Sequence, residues 1–280
     1  MDEYPVEVRI DYPAASSRGW AILTIIIVKF LALIPHGIVL WALSIAQGIA
    51  FLVAQVVVLF SGVYPRGLHG FVTGVLRWQT RVSAFGLSLT DKYPPFSLNV
   101  MPDYPVDVEI DYPQQSSRGW AGLTVVVAAL GLFSIGRIVH YLGRKSLGNL
   151  ATWLNARELI LLPHLIVLVF LGIAVLVLFL IVQWVILVTA RYPEGMHDFT
   201  AGFMRWSTRV QAWSYGLIDP YPPFTLDPTT RPGSRSAPQT PPPAGPSAGW
   251  GESAHLPPEP SAPDQPPQNP QPPEPGELDL

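Results

Sequence analysis

Four ionisable side chains in or beside long apolar stretches are the first candidates for chemistry. His36 and His164 follow the prolines of IPHGIVL and LPHLIVL, and Lys29 and Arg157 lie six residues before those prolines. Because a charge in lipid is costly, such residues predict an ion or solute site within a membrane. In the alternative that we favour, each neutral imidazole binds backbone carbonyls freed by the proline. Lys29 and Arg157 then extend to lipid headgroups, or Arg157 pairs with Glu158.

A second set of polar side chains lies outside these stretches. His69 with Asp91, and His197 with Asp219, could supply the acid and the base of a lipid-modifying enzyme. A metal ion needs two to four convergent ligands, and neither an HxxxH nor an HExxH spacing occurs. We therefore predict no catalytic residue, no metal site and no cofactor.

The composition excludes several classes of protein. Cysteine is absent, which excludes disulfides and thiol chemistry, and a net charge of −3 without a basic run argues against binding nucleic acid. Mean hydropathy is positive even though the C-terminal part is polar, so the remainder is unusually apolar. The first apolar run begins only at Trp20, after an acidic segment, so we expect no cleaved signal peptide.

The chain repeats one module, at residues 1–100 and 101–226. YPVEVRIDYPAASSRGWA from Tyr4 recurs as YPVDVEIDYPQQSSRGWA from Tyr104, with 14 of 18 positions identical at an offset of 100. YPRGLHGFVTGVLRWQTRV and YPEGMHDFTAGFMRWSTRV are offset by 128, so the second copy holds a 28-residue insertion between about 120 and 150. In both copies SSRGW predicts an N-capped helix start and a tryptophan at the membrane interface.

Long apolar runs predict the membrane segments. Residues 37–61 and 159–190 are each long enough, at about 1.5 Å per residue, to cross a hydrocarbon core of roughly 30 Å. Residues 20–34 are too short for this, and residues 120–136 could be a further span or an interfacial helix. The proline before each histidine predicts a turn, and hence a helical hairpin or re-entrant segment. Arginines at both flanks of each copy favour an even number of crossings, about four, with cytoplasmic termini.

An amphipathic helix is predicted after each long run, at about residues 66–90 and 195–218. Large apolar side chains recur there at steps of four, three, four and three residues, which is one helical stripe. The RWxxR pattern beside it could place rings in the acyl boundary and guanidinium groups at anionic headgroups. Alternatively, the stripe packs on the protein's own helices. The candidate membrane-interface or partner contacts are Arg77, Trp78, Arg81, Arg205, Trp206 and Arg209.

Extended segments begin and end each module. YPVEVRIDYP alternates apolar and charged residues, which is typical of a half-exposed strand, and the tandem prolines of the closing YPPFSL and YPPFTL exclude a helix. We predict that the two ends of one module lie together as a small cytoplasmic lid.

Residues 227–280 predict a disordered tail. Pro, Ser, Gly, Gln and Glu dominate this segment, and such a composition buries too little apolar surface to offset the entropy of ordering. Its PPP and PPEP runs could bind a polyproline-recognising domain, although a solvated spacer is the favoured alternative.

Taken together, the motifs resemble one family. They are a basic residue six positions before Pro-His, the IPHGIVL and LPHLIVL runs, a YP pair, RW followed by RV, and D-x-YPPF. They are similar to the bacterial, actinobacterial-type membrane proteins called domain of unknown function 4389. The resemblance covers residues 4–98 and 104–226 and implies a membrane location without a mechanism.

These patterns predict a mostly α-helical integral membrane protein, built as a tandem repeat of a helical module with short extended segments and a disordered tail. We expect a non-enzymatic, multi-pass protein of the cell membrane that organises lipid or a partner membrane protein. The alternatives are a small transporter with its site at the repeat interface and, less favoured, an enzyme acting on lipid at the membrane surface. Expected partners are the lipid bilayer, another membrane protein and a polyproline-binding domain, but no nucleic acid.

Overall fold

A computed structural model describes residues 4–25, 27–141 and 160–228, of which 130–141 by their backbone alone. Within these ranges the chain is mostly helical, with one pair of strands. The predicted tail beyond residue 228 and Arg157 lie outside the described residues. In chain order the elements are β1 (Val6–Ile10), α1 (Arg18–Ile25), α2 (Val28–Ala32), α3 (Ile34–Ser61), α4 (Arg66–Gly86), β2 (Val106–Ile110), α5 (Arg118–Tyr141), α6 (Leu162–Thr189) and α7 (Glu194–Ser214).

Serine caps start the first helix of each copy. The Ser17 hydroxyl accepts the backbone N–H of Trp20 at 3.3 Å, and the Ser117 hydroxyl accepts that of Trp120 at 3.4 Å. A side-chain oxygen at this position satisfies one of the N–H groups that have no partner in the first turn. The predicted capped starts are confirmed.

Each Pro-His motif begins a long helix. Pro35 and Pro163 lie in the first turns of α3 and α6, where the missing N–H costs no helical hydrogen bond. Before Pro35 the chain also breaks at Ile27, whose φ of 69° is left-handed. The stretch from Arg18 to Ala32, which contains α1 and α2, would reach only about 22 Å even as a straight helix. The predicted turn between helical segments is confirmed.

The two strands pair with each other across the copies. β1 and β2 are antiparallel, with Val8 opposite Val108 and Val6 opposite Ile110. The valines and isoleucines of both strands are buried, while Glu109 is exposed. The predicted strands are confirmed. Each strand pairs with the strand of the other copy, and the two ends of one module meet instead at Ser17, whose N–H donates to Asp91. A two-stranded ribbon is marginal without a surface to cover its apolar face.

That cover comes from the opposite copy. β2 packs on α4 and β1 on α7, while α1 packs on α6 and α5 on α3. The Ser16 N–H bonds the Ala190 carbonyl at the end of α6 at 2.9 Å, and the Ser116 N–H bonds the Gly62 carbonyl at the end of α3 at 2.8 Å. The N-terminal part of each copy therefore completes the core of the other, and the copies are interlocked.

The predicted amphipathic helices α4 and α7 are central helices. Twelve of the 21 residues of α4 are buried, and eleven of the 21 residues of α7. The two helices also contact each other. Their placement at the acyl boundary is therefore wrong, and the alternative, packing on the protein itself, is what the structure shows.

Two described helices, α3 and α6, are long and apolar enough to cross a membrane. Only 33% of the most apolar window of α3, and 17% of that of α6, is buried. Phe60 on α3 is 77% exposed, and Val188 on α6 is 75% exposed. A helix in the core of a soluble protein would be mostly covered, so the exposure of these two supports an association with a membrane.

Candidate functional site

The Pro-His, Arg-Trp and YPPF motifs of the first copy converge on one cluster around the buried His36. The Trp78 indole N–H donates to His36 Nδ1 at 3.0 Å. The imidazole stacks on Phe96, with the ring centroids 3.9 Å apart and the planes 15° apart, and Tyr93 lies 5.0 Å away. His36 has no exposed surface. We call these four residues the first histidine cage.

The second copy builds the same cluster, the second histidine cage. Trp206 donates to His164 Nδ1 at 3.0 Å, and His164 stacks on Phe224 at 3.7 Å with Tyr221 at 4.9 Å. An indole N–H can only donate, so each Nδ1 accepts and each ring is the neutral tautomer with its proton on Nε2. Protonation of Nδ1 would break the bond to tryptophan.

Tyrosine binds the carbonyls next to each proline. The Tyr93 hydroxyl donates to the Ala32 carbonyl at 2.7 Å, and the Tyr221 hydroxyl donates to the Ile160 carbonyl at 3.1 Å. The prediction that the histidines bind these freed carbonyls is therefore wrong, because Nδ1 faces tryptophan. The closing YPPF segment thus closes the cage and also holds the turn before the long helix.

Two arginines of α4, Arg77 and Arg81, hold the ribbon on the first copy. Arg77 Nε and Arg81 Nη2 lie 2.8 and 3.2 Å from Asp107 Oδ1 on β2. Arg77 also donates to the Val108 carbonyl at 3.0 Å and to the Leu98 carbonyl at 2.8 Å. Burial lowers the pKa of Arg81, while the charge of Asp107 opposes that shift. The guanidinium groups therefore serve β2 and the segment after YPPF.

In the second copy, Arg209 holds the matching segment. It donates to the Thr225 carbonyl at 3.1 Å and to the Asp227 carbonyl, and it has no exposed surface. Burial lowers the pKa of both Arg205 and Arg209. Five of the six predicted interface residues are buried, and Arg205 is half-buried. Their predicted contact with lipid headgroups is wrong, because the protein covers them.

Gly74 in α4 and Gly202 in α7 let the segment after YPPF lie directly against the helix. Neither glycine is among the candidate residues predicted from the sequence. A Cβ on Gly74 would lie 2.8 Å from Leu98 Cβ, and one on Gly202 would lie 2.8 Å from Leu226 Cβ. The helix and the segment after YPPF are thus in direct contact at these points. The repeated glycine three residues before RW was the available signal.

Lys29 is enclosed between the copies. Its Nζ donates to the Ser88 hydroxyl at 2.9 Å, and the amide of Gln183, on α6, donates to the same hydroxyl at 3.2 Å. Nζ also lies 4.5 Å from the ring centroid of Phe85. Lys29, which lies outside α3 and α6, has no exposed surface, so its predicted extension to headgroups is wrong. Burial lowers its pKa to about 8, although Asp91 opposes the shift.

The histidine and aspartate pairs expected of an enzyme have separate partners. Asp91 accepts the Ser17 N–H at 2.6 Å, and Asp219 accepts the Ser117 N–H at 2.8 Å, so both aspartates bind helix starts. His69 packs on two tyrosine rings at 5.7 and 5.3 Å, and burial lowers its pKa. Within the described ranges, no group of three or more His, Asp or Glu could hold a metal ion.

A groove of about 680 Å³ lies between α4 and α7, where the copies meet. Side chains of α2 and α6 form its side wall. The arginines are on a different face of α4, turned toward β2. The groove combines polar and apolar walls, whereas aromatic rings pack directly against the imidazole in each histidine cage.

Comparison with known proteins points to one family. The family model described as Domain of unknown function (DUF4389) matches residues 24–97 and 149–225, which together are more than half of the chain. Both matches contain the Pro-His, Arg-Trp and YPPF motifs that form the histidine cages. No curated protein and no solved structure matches the chain.

Proposed function

The chain belongs to the DUF4389 family through two tandem copies of its domain, and from that premise we propose that it is a non-enzymatic, multi-pass scaffold of the cell membrane that organises lipid. One observation carries the proposal. The histidines of the Pro-His motifs and most of the arginines and tryptophans of the RWxxR motifs are enclosed by the protein, whereas α3 and α6 leave most of their apolar surface uncovered. Catalysis would need polar groups that converge on an accessible site.

The uncovered apolar surface is what a bilayer would cover. Monomeric soluble proteins rarely expose continuous apolar patches beyond a few hundred Å². Exposed side chains recur along the whole of α6, from Ile166 at 57% to Val188 at 75%. Trp41 and Trp184, 68% and 60% exposed, lie near opposite ends of their helices, the positions that interface anchors take.

The ribbon supports an even number of crossings. Because β1 and β2 are hydrogen-bonded partners, they lie on one side of any bilayer, so the chain between Ile10 and Val106 crosses an even number of times. If α3 crosses, a second segment returns the chain. Glu109 is exposed on the outer face of the ribbon, which supports placing that face in water.

Labelling of single cysteines tests the crossings, because the chain has none of its own. Cysteines replace Gly37 and Ser61, both exposed, at the two ends of α3. An impermeant maleimide added to sealed vesicles is expected to label only one of them until the vesicles are opened. Labelling of both positions from the same side would refute a crossing by α3.

Photo-cross-linking tests the contact with lipid. A photoreactive residue replaces Phe60 or Val188, with Val58 and Ile186, each 2% exposed, as matched positions on the same helices. Lipid capture is expected only at the exposed pair. Equal capture at exposed and buried positions, or none at either, would contradict the proposal. Trp78 and Trp206 are unsuitable, since cross-linkers there would meet the protein's own interior.

A transporter is the second candidate, because the groove lies where the copies meet, as sites of repeat-built transporters do. It predicts solute flux across liposomes that a bulky residue in the groove abolishes. The scaffold predicts no flux, so flux that is lost in Ser83→Trp would replace the first proposal by the second.

A further inference from the structure

The groove between α4 and α7 has the size of a ligand site. Its volume of about 680 Å³ falls within the range of roughly 300–1,000 Å³ typical of small-molecule sites. Its lining, all within the described ranges, contains no ionisable side chain. A bound charged group would lose its water without gaining a counter-charge, which is costly.

The two copies line one part of the groove with equivalent polar side chains. Gln79, Thr80 and Ser83 of α4 correspond, at the offset of 128, to Ser207, Thr208 and Gln211 of α7. The Thr80 and Ser207 hydroxyls donate to carbonyls of their own helices, which leaves their oxygens free to accept. The side-chain amides of Gln79 and Gln211 make no hydrogen bond to any described residue. The groove thus offers donors and acceptors without charge.

The rest of the groove is apolar and continuous with the uncovered surface. Phe30, Leu176 and Phe179 form one wall and Phe203 contributes to another. Leu176 is 58% exposed and Phe30 is 40% exposed, so these two side chains belong both to the groove and to the outer apolar surface. An acyl chain could pass from the bilayer into the groove without crossing a polar barrier.

We propose that the groove binds a neutral amphiphile of the diacylglycerol type, with its hydroxyl and esters on the Gln, Ser and Thr side chains and one acyl chain along the Phe and Leu side chains. Anionic lipids are disfavoured, because the nearest arginines of α4 are bound to Asp107 and to backbone carbonyls. The inference rests on the proposed function, since the bilayer supplies the ligand.

Two photoactivatable lipids test the site on the full chain in phosphatidylcholine vesicles. One is a diacylglycerol with a diazirine in an acyl chain, and the other is a phosphatidic acid with the same chain. The diacylglycerol is expected to label α4 and α7 peptides that line the groove, in preference to the phosphatidic acid. Ser83→Trp fills the groove and should reduce this labelling about tenfold. Ser44→Trp, at an equally exposed serine on the outer surface of α3, should leave it unchanged.

A second pair of variants keeps the test valid if Ser83→Trp does not fold. Ser207→Trp fills the groove from the other copy and should give the same loss. Gln79→Leu removes one hydrogen-bonding group and should lower diacylglycerol labelling roughly three- to tenfold, the effect of about 1 kcal/mol. Thermal unfolding of each variant checks that it is folded.

Four results would overturn the inference. They are equal labelling by both lipids, labelling unaffected by a groove-filling tryptophan, labelling of outer surfaces only, and no labelling by the diacylglycerol. A phosphatidylcholine probe that still labels the outer faces of α3 and α6 would leave the proposed function standing. Absence of the chain from the vesicles would overturn both.

Discussion

Replacing Asp107 by asparagine tests whether the ion pairs on α4 hold the copies together. Asp107 is 5% exposed, and its Oδ1 forms ion pairs with Arg77 Nε at 2.8 Å and Arg81 Nη2 at 3.2 Å. Asparagine has nearly the same shape, so the change removes the charge with little change in packing. Asp103→Asn is the matched control, because Asp103 is an exposed carboxylate in the same segment.

The expected loss of stability depends on the hydrogen-bond acceptors that Arg77 and Arg81 keep after the substitution. Removing one partner of a buried ion pair costs about 3–5 kcal/mol, because it leaves an uncompensated buried charge. Arg77 keeps two backbone carbonyl acceptors and Arg81 keeps three, at Val106, Ser97 and Asn99, which favours the lower end, about 3 kcal/mol. For a unit of 150–250 residues, each kcal/mol shifts Tm by about 2–4 °C, so Tm should fall by roughly 6–12 °C.

The assay is thermal unfolding of the purified chain in detergent, followed by tryptophan fluorescence. Asp103→Asn should change Tm by no more than about 2 °C, as expected of an exposed substitution. Equal Tm values for the Asp107 and Asp103 variants would refute the reasoning, because the ribbon would then be held by packing and by backbone hydrogen bonds alone.

Three further predictions use the same fluorescence assay. His36→Phe should cost about 1–3 kcal/mol, because the Trp78 indole N–H loses its acceptor, whereas His36→Asn, which keeps an acceptor there, should cost less; equal losses would contradict the bond. The pKa of Lys29 is lowered to about 8, so the folded chain loses that proton before the unfolded chain does, and stability should rise between about pH 8 and 10. Lys29→Met should lack this rise, and a slope that persists would assign it to another group. Residues 1–100 and 101–228, made as separate chains, should fold together and not alone, because β1 and β2 pair with each other and, among the described residues, with no further strand. A stable isolated fragment would contradict the interlocked core.

The wrong predictions for the arginines of α4 and α7 and for Lys29 share one cause. The arginines of α4 and α7 and the lysine of α2 were expected at headgroups because a charged side chain beside an apolar stripe usually faces water or a membrane surface. Here the closing segments and the partner copy's strand supply carbonyls to the arginines, and for Arg77 and Arg81 also a carboxylate, while the Ser88 hydroxyl accepts from Lys29. Helical periodicity indicates which face is polar but not what covers that face.

The histidine cages could be predicted from the sequence only in part. Pro-His, RW and YPPF were each identified from their recurrence in both copies. Their convergence was not predicted, because Pro-His lies about 40 residues before RW and about 60 residues before YPPF, and no local pattern encodes contacts at that separation. The repeat itself carried the signal, since residues that recur together in two copies are candidates for one shared cluster.

The sequence by itself determined the repeat, the capped helix starts, the proline-initiated long helices and the alternating strands, because each depends on interactions within a few residues of the chain. Only the tertiary structure decided that β1 pairs with β2, that α4 and α7 are central, and that the polar residues of the motifs are enclosed. Those outcomes depend on which surfaces cover which. In a duplicated chain, equivalent segments can pack within one copy or across both with the same local pattern, and only the assembled core distinguishes the two.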